Sequence, residues 1–372
     1  SEFKVHIAGQ VPDFSPAELL PRGVGLKRTS RADRLALCAG IEALRDAGLY
    51  PLPEELAAHA GIVIGGGAGG MLEAEAVFGR SAKGLPIDDR YSHFASFCCA
   101  ATADHLSAHL GSYGPKTTFM TACSSGATAI GYARDLITAG LAPLVVCGGT
   151  EALSRVTFGA FNAINAVDTA PCRPFDKHRQ GLSLGEGAGM LVLEARSHAL
   201  ARGAEIYAEV CGYGLSADAH HMTAPAPEGA GAVDSMGAAL ADAGLSPEAV
   251  DYVNAHGTAT PANDRMETAA IKSLFGDHAR RLAVSSIKAM TGHTLAAAGA
   301  IEAVAVALGL RHQFLPPTIG LTTPDPDCDL DYVSEGARPT RLRHVVSNSF
   351  GFGGNNTSLV FRSAARREAA HA

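Results

Sequence analysis

TFMTACSSGATAIGYA, residues 118–133, passes from one backbone period to another within a few residues. Thr117 to Thr121 reads as a strand, and Ser124 to Ala139 carries Ala, Ile and Leu at helical spacing until Gly140 stops it. A strand feeding a helix through so tight a turn belongs to an α/β fold. The turn sets the Cys123 thiol at the positive end of the helix dipole, facing unpaired backbone N–H groups. Both favour thiolate, and the same amides can hold an oxyanion. Taken alone, Cys123 could be a small buried hydrophobe; the strand, turn and small-residue helix together make it the candidate nucleophile.

The alternation continues on both sides. Helices are expected over Leu35 to Ala47, Cys98 to Leu110, Gly229 to Ala243, Thr268 to Phe275 and His293 to Leu310. Strands are expected over Gly61 to Gly65, Leu144 to Gly148, Ile206 to Tyr213, Val250 to Asn254, Leu282 to Ser285, Val345 to Phe350 and Ser358 to Phe361. A polar linker lies around Glu194 to Arg202, so the chain divides into two α/β halves, residues 1–203 and 204–372, without a literal repeat. Ser363 to Ala372 reads as a frayed end.

Composition narrows the function. Of 372 residues, 47% are apolar and 18% charged, enough to bury a large core. A net charge of −7 is no footprint for nucleic acid. Eight cysteines without a CxxC pair suit a reduced, cytoplasmic protein. No apolar run reaches the ~18 residues of a membrane span, and no secretory signal opens the chain. No metal site stands out: HExxH is absent, and His220-His221 lacks a third ligand. Gly65, Gly67 and Gly70, with Asp88 beyond, fit a dinucleotide-binding spacing, but GGGAGG fits almost any glycine template and Asp88 follows no clear strand. Arg22, Lys27, Arg28, Arg31 and Arg34 form a basic cluster with Asp33 as its only acid. It reads either as a solvated helix start or as a docking patch for an acidic partner.

Three further stretches carry chemistry. In VNAHGTATPAND, His256 stands in a loop at a strand's carboxyl end, where α/β sheets place ligands, with Thr258 and Thr260 beside it. In SSIKAMTGHTLAAAGAIEA, Lys288 and His293 flank a short turn, His293 starts a helix, and Glu302 follows nine residues later. A neutral imidazole there can donate a hydrogen bond without charge. In SNSFGFGGNNTSLVF, Gly351, Gly353 and Gly354 surround Phe352. A phosphate loop would open a helix, whereas a strand follows here.

These blocks, TACSSGA, NAHGTATPAND, SIKAMTGH…AAAGAIE and NSFGFGGNN, resemble in order the signature blocks of β-ketoacyl-acyl-carrier-protein synthases, the elongating type II enzymes above all. CRPFDKHRQG, LGEGAGMLVLE and SADAHHMTAPAPEG match as well, from about Val5 to Phe361. The resemblance implies a thiolase-like fold of two similar α/β halves in five layers, as a homodimer or a heterodimer with a related ketosynthase subunit. It implies that Cys123 is acylated, that His256 and His293 form the decarboxylation site, and that Lys288 and Glu302 organise it. Phe352, grouped with Phe350, would be the gate whose amide joins that of Cys123 in an oxyanion hole. Thr258 and Thr260 would bind the pantetheine arm, Cys98 would line the acyl pocket, and Lys27, Arg28 and Arg31 would meet the acyl-carrier protein. The implied reaction is decarboxylating condensation of the acyl enzyme with malonyl-carrier protein. It needs no cofactor beyond the phosphopantetheine that carries the substrates. The alternative is a non-catalytic partner of the chain-length-factor kind. The sequence departs from the pattern at Ala259, Asn355 and Ala296, where the family often has Ser, Thr and Gly. It also begins late: the family's first strand has no counterpart, and that strand is expected to be central to the first sheet.

Overall fold

A computed structural model of the chain describes residues 3–21, 24–87, 92 and 94–364. Arg22, Asp88 and residues 365–372, on which expectations were placed, lie outside the described residues.

The first half holds strands β1 (Gly61–Gly66), β2 (Lys116–Phe119), β3 (Leu144–Glu151) and β4 (Gly187–Glu194). Its main helices are α1 (Arg31–Asp46), α2 (Met71–Ala82), α3 (Ala100–Leu110), α4 (Ser125–Thr138) and α5 (Arg155–Ala163). The second half holds β5 (Ala208–Ala217), β6 (Tyr252–Asn254), β7 (Ala283–Ser285), β8 (His344–Gly351) and β9 (Asn355–Ser363), with helices α6 (Ala230–Asp242), α7 (Pro261–Phe275) and α8 (Ala298–His312).

The first sheet runs β2-β1-β3-β4 and the second β5-β9-β8-β6-β7. In each, parallel neighbours meet one antiparallel strand: β3 pairs β4 and β8 pairs β9 in opposite directions. Alternating side chains assign the layers. Ile62 and Ile64 of β1 point outward to Leu37, Ile41 and Leu44 of α1 and Leu106 of α3. Val63, between them, points inward to Ile130 of α4 and Val306 of α8. On the far sheet, Val345 faces those same central helices, while Val346 and Val253 face Met236 of α6 and Ile271 of α7. The result is helix, sheet, paired helices, sheet, helix, which is the thiolase-like architecture. The stretch Leu295–His312 is long and apolar enough to cross a membrane by composition, yet it is mostly buried as the central helix.

The central helices touch through small residues. A Cβ on Gly299 would lie 2.6 Å from Ser349 Oγ and 2.9 Å from Ala127 Cβ, so only hydrogen fits there.

Several expectations shift. Helix α1 starts at Arg31 because Ser30 caps it: Ser30 Oγ accepts from the Asp33 amide at 3.1 Å and Asp33 accepts from the Ser30 amide at 2.7 Å. Asp33 is thus a buried cap rather than part of a solvated surface. Helix α7 starts seven residues early, at Pro261, since proline suits the first helical position. Helix α8 starts late, at Ala298, and leaves His293 in a turn ahead of a 3-10 segment, Leu295–Ala297.

A gap at the centre of the first sheet, the sequence expectation, is not seen. Strands β1 and β3 each have two neighbours, so the middle of the first sheet is complete among the described residues. The second sheet has one strand more, β5, at its edge against β9. The equivalent place in the first sheet is the outer edge of β4. There Leu191, Val192 and Leu193 are only partly covered, and an open groove of about 800 Å³ runs past them, also lined by Ile137 and Leu308.

Candidate active site

Three turns from both halves converge on Cys123. The first follows β2: Ala122 takes a left-handed φ of 52°, unusual without glycine, and a single 3-10 turn (Ala122–Ser124) sets Cys123 just before α4. The second follows β6 and carries His256 to Thr260, with Ala259 at φ 68°. The third precedes α8 and carries His293, with Leu295 at φ 48°.

His293 Nε2 lies 3.0 Å from Cys123 Sγ. The His256 ring stands edge-on to it, centroids 5.4 Å apart, with Phe350 5.8 Å from His256 on another side. Cys123, His256 and His293 are all buried. Burial, the Lys288 ammonium and His293 hold His256 well below the usual imidazole range; burial and Lys288 do the same to His293. Both rings are therefore neutral at physiological pH.

Lys288 organises the floor. Its Nζ donates to the His256 carbonyl at 2.5 Å, lies 3.4 Å from His256 Nδ1 and pairs with Glu302 Oε1. An ammonium facing Nδ1 leaves the ring proton of His256 on Nε2. Burial pushes the Glu302 carboxyl up to about 7, against the pull of Lys288.

The thiol departs from the sequence expectation. Burial pushes Cys123 up to about 11, outweighing Lys288 and the amides of Phe352 and Cys123 itself, which pull the other way. Those two amides nevertheless both face the sulfur, as oxyanion donors must. Phe352 stacks on Phe161 of α5 at 5.6 Å, and Gly353 beside it takes φ 80°. Thr258 and Thr260 hydroxyls lie 3.0 Å apart.

One residue expected to dock the carrier protein is engaged within the chain. Arg31 is held by Glu186, at 2.9 Å from Nε and 2.6 Å from Nη2, and lies over the Phe14 ring, so it is not free for a partner. Lys27 and Arg28 are exposed on a 3-10 turn. Cys98 is exposed on the single chain, whereas Cys99 turns inward, its Sγ 3.3 Å from the Gly67 carbonyl.

Sequence reasoning missed Glu267 and Asp264. Glu267 accepts from the amides of His256 and Gly257 at 2.8 and 2.9 Å, and Asp264 accepts from Ala259 at 3.1 Å. They sit three residues apart on α7 and hold the histidine loop from below. With the helix read from Thr268, both fell in a loop. An acid in the turn after Pro261 was the signal for the earlier start.

The chain matches the model of the β-ketoacyl synthase N-terminal domain over residues 13–199 and of the C-terminal domain over residues 207–322. It is 44% identical to 3-oxoacyl-[acyl-carrier-protein] synthase 2 of Synechocystis sp., covering 97% of this chain and 88% of that protein. Among solved structures it resembles a β-ketoacyl synthase from Burkholderia phymatum, with a TM-score of 0.90 and 36% identity over 98% of this chain and 90% of the other. It also resembles the type II polyketide assembly AntDE:AntF, an acyl-carrier protein in complex with its ketosynthase bound to the hexaketide. There the TM-score is 0.86 and the identity 32%, over 97% and 89%.

Proposed function

The chain belongs to the β-ketoacyl synthase family, and from that premise we propose how its buried residues divide a decarboxylating condensation. The enzyme is an acyltransferase that joins an acyl-enzyme thioester to malonyl-carrier protein and yields a β-ketoacyl-carrier protein. In our reading, Cys123 attacks the acyl thioester, and the proton it gives up leaves with the departing carrier thiol. Malonyl-carrier protein then binds with its pantetheine arm against Thr258 and Thr260. The bond to its carboxylate breaks, carbon dioxide leaves, and the electron pair moves into an enolate. The thioester oxygen accepts hydrogen bonds from neutral His256 and His293, which Lys288 and Glu302 keep in place. The carbanion attacks the acyl-Cys123 carbonyl. The amides of Cys123 and Phe352 hold the oxyanion until the thiolate leaves.

The observation that carries this reading is the buried contact of His293 Nε2 with Cys123 Sγ at 3.0 Å, with neutral His256 beside it. Intact protein mass after incubation with acyl-carrier protein tests it. Wild type should gain one acyl group and Cys123→Ala none; an equal adduct on the variant would remove the nucleophile assignment. A non-catalytic partner subunit fits less well, since the thiol and both histidines are present.

We further place the boundary between halves near residue 203 and the meeting point with the carrier protein at Lys27 and Arg28. The AntDE:AntF complex supports a carrier-protein partner, and pairing with a second copy or a related ketosynthase subunit completes the assembly. Cytoplasm is the compartment that keeps free thiols such as these reduced.

A further inference from the structure

Glu151, the last residue of β3, is a buried carboxylate that the reaction above does not use. It is 1% exposed, and among the described residues no lysine or arginine pairs with it. What it has instead is backbone. Its Oε1 accepts from the Ala68 amide at 2.9 Å. Burial pushes the carboxyl up to about 7, against the amides of Ala68, Ala296 and Ala152, which favour its charged form. Oε2 has no hydrogen bond of its own.

Two of these amides belong to different halves of the molecule. Ala68 lies in the glycine loop between β1 and α2, in the first half. Ala296 lies in the 3-10 turn of the second half, three residues beyond His293. The loop passes so close that a Cβ on Gly67 would meet Glu151 Oε2 at 2.1 Å, and the same Cβ would reach Ala296 Cβ at 3.3 Å. Cys99 holds the loop from its other side at the Gly67 carbonyl. A carboxyl without a cation in a dry site is expensive to keep, and its amide contacts offset only part of a desolvation penalty that a hydrophobe of the same size would avoid.

We propose that Glu151 is a positioning residue whose carboxyl ties the Gly67–Ala68 loop of the first half to the His293 turn of the second, and so fixes His293 over Cys123. It touches no reacting atom; its charge adds to the upward push on the Cys123 thiol, and its positioning action runs through Ala296 and the turn. The proposal rests on the role given to His293 above. Decarboxylation, which needs His293 placed to a fraction of an ångström, should therefore depend on Glu151. Acylation, which needs mainly Cys123 and the two oxyanion amides, should depend on it far less.

The test compares the two half-reactions in Glu151→Gln and Glu151→Ala. Gln keeps one acceptor oxygen in the same space, and Ala keeps none. Transfer from acyl-carrier protein is followed by protein mass, and carbon dioxide release is followed from malonyl-carrier protein on the acylated enzyme. Acylation should stay within about threefold in both variants. Decarboxylation should fall roughly tenfold with Gln and roughly a hundredfold with Ala, the scale of a misplacement near 1 Å. Loss of both half-reactions by one factor, or of neither, overturns the proposal. Should Glu151→Ala fail to fold, the isosteric Gln variant decides alone by the same criterion. His293→Ala is the control: if that variant still decarboxylated malonyl-carrier protein, the role of His293 would fall, independently of how Glu151 behaves.

Discussion

Cys123 combines a deep burial that suppresses thiolate with a turn that welcomes it. Sequence alone displays the turn and hides the burial, which is why the expected lowering of its pKa gives way to a rise. With the thiol pushed up to about 11, only its ionised form alkylates. Iodoacetamide labelling of the substrate-free enzyme at Cys123 should therefore climb about tenfold per pH unit from pH 7 to 10, since thiolate grows in that proportion below the pKa. A plateau below pH 8, read by peptide mass, would mean that His293 already holds the proton in an ion pair. A second expectation concerns the order of events. His293→Ala should leave acylation of Cys123 largely intact and remove decarboxylation by roughly a hundredfold or more, because the charge it meets develops only in the second step. Equal loss in both assays would make it a thiol activator instead. The reactive side chains were legible because their chemistry is written in residue type beside strand ends. Glu267, Asp264 and Glu151 were not, since a buried acid that serves only backbone amides looks like any helix or strand acid until its burial is known.

Elements bring these side chains together by accepting local disadvantage. Ala122, Ala259 and Leu295 each sit in the left-handed region, a conformation that costs a non-glycine residue roughly 1 kcal/mol. All three lie in the turns that aim the site. The expected strands and helices appear where their sequence periods put them, whereas α5 and β4 were not among them. Boundaries moved where a cap or a proline overrode the apolar pattern, as at Ser30 and Pro261. The junction of α4 and α8 has no slack. Gly299→Ala should lower stability by about 1–3 kcal/mol, because the added methyl would collide with Ser349 and Ala127. Urea denaturation followed by circular dichroism measures this, and an unchanged midpoint would show that the helices can part. The short turn Leu26–Arg28 presents Lys27 and Arg28 to solvent. Reversing both charges should weaken carrier-protein binding roughly tenfold at low salt and flatten its salt dependence. Titration calorimetry insensitive to either change would move the docking surface elsewhere.

The whole molecule is two similar halves whose sheets are unequally finished. Strand β9 is paired on both sides and mostly buried; β4 is paired only with β3 among the described residues. Amides of β4 should therefore exchange with deuterium much faster than those of β9, which hydrogen-exchange mass spectrometry resolves by peptide. Equal protection would mean that something covers the groove in solution. The halves also depend on one another at the site, and that has a consequence in time. Cys123 and His293 are 170 residues apart in the chain. At ordinary rates of synthesis the thiol leaves the ribosome about ten to thirty seconds before its histidine exists. Throughout that interval α4 has no α8 to lie against, and its apolar face belongs to whatever chaperone reaches it first.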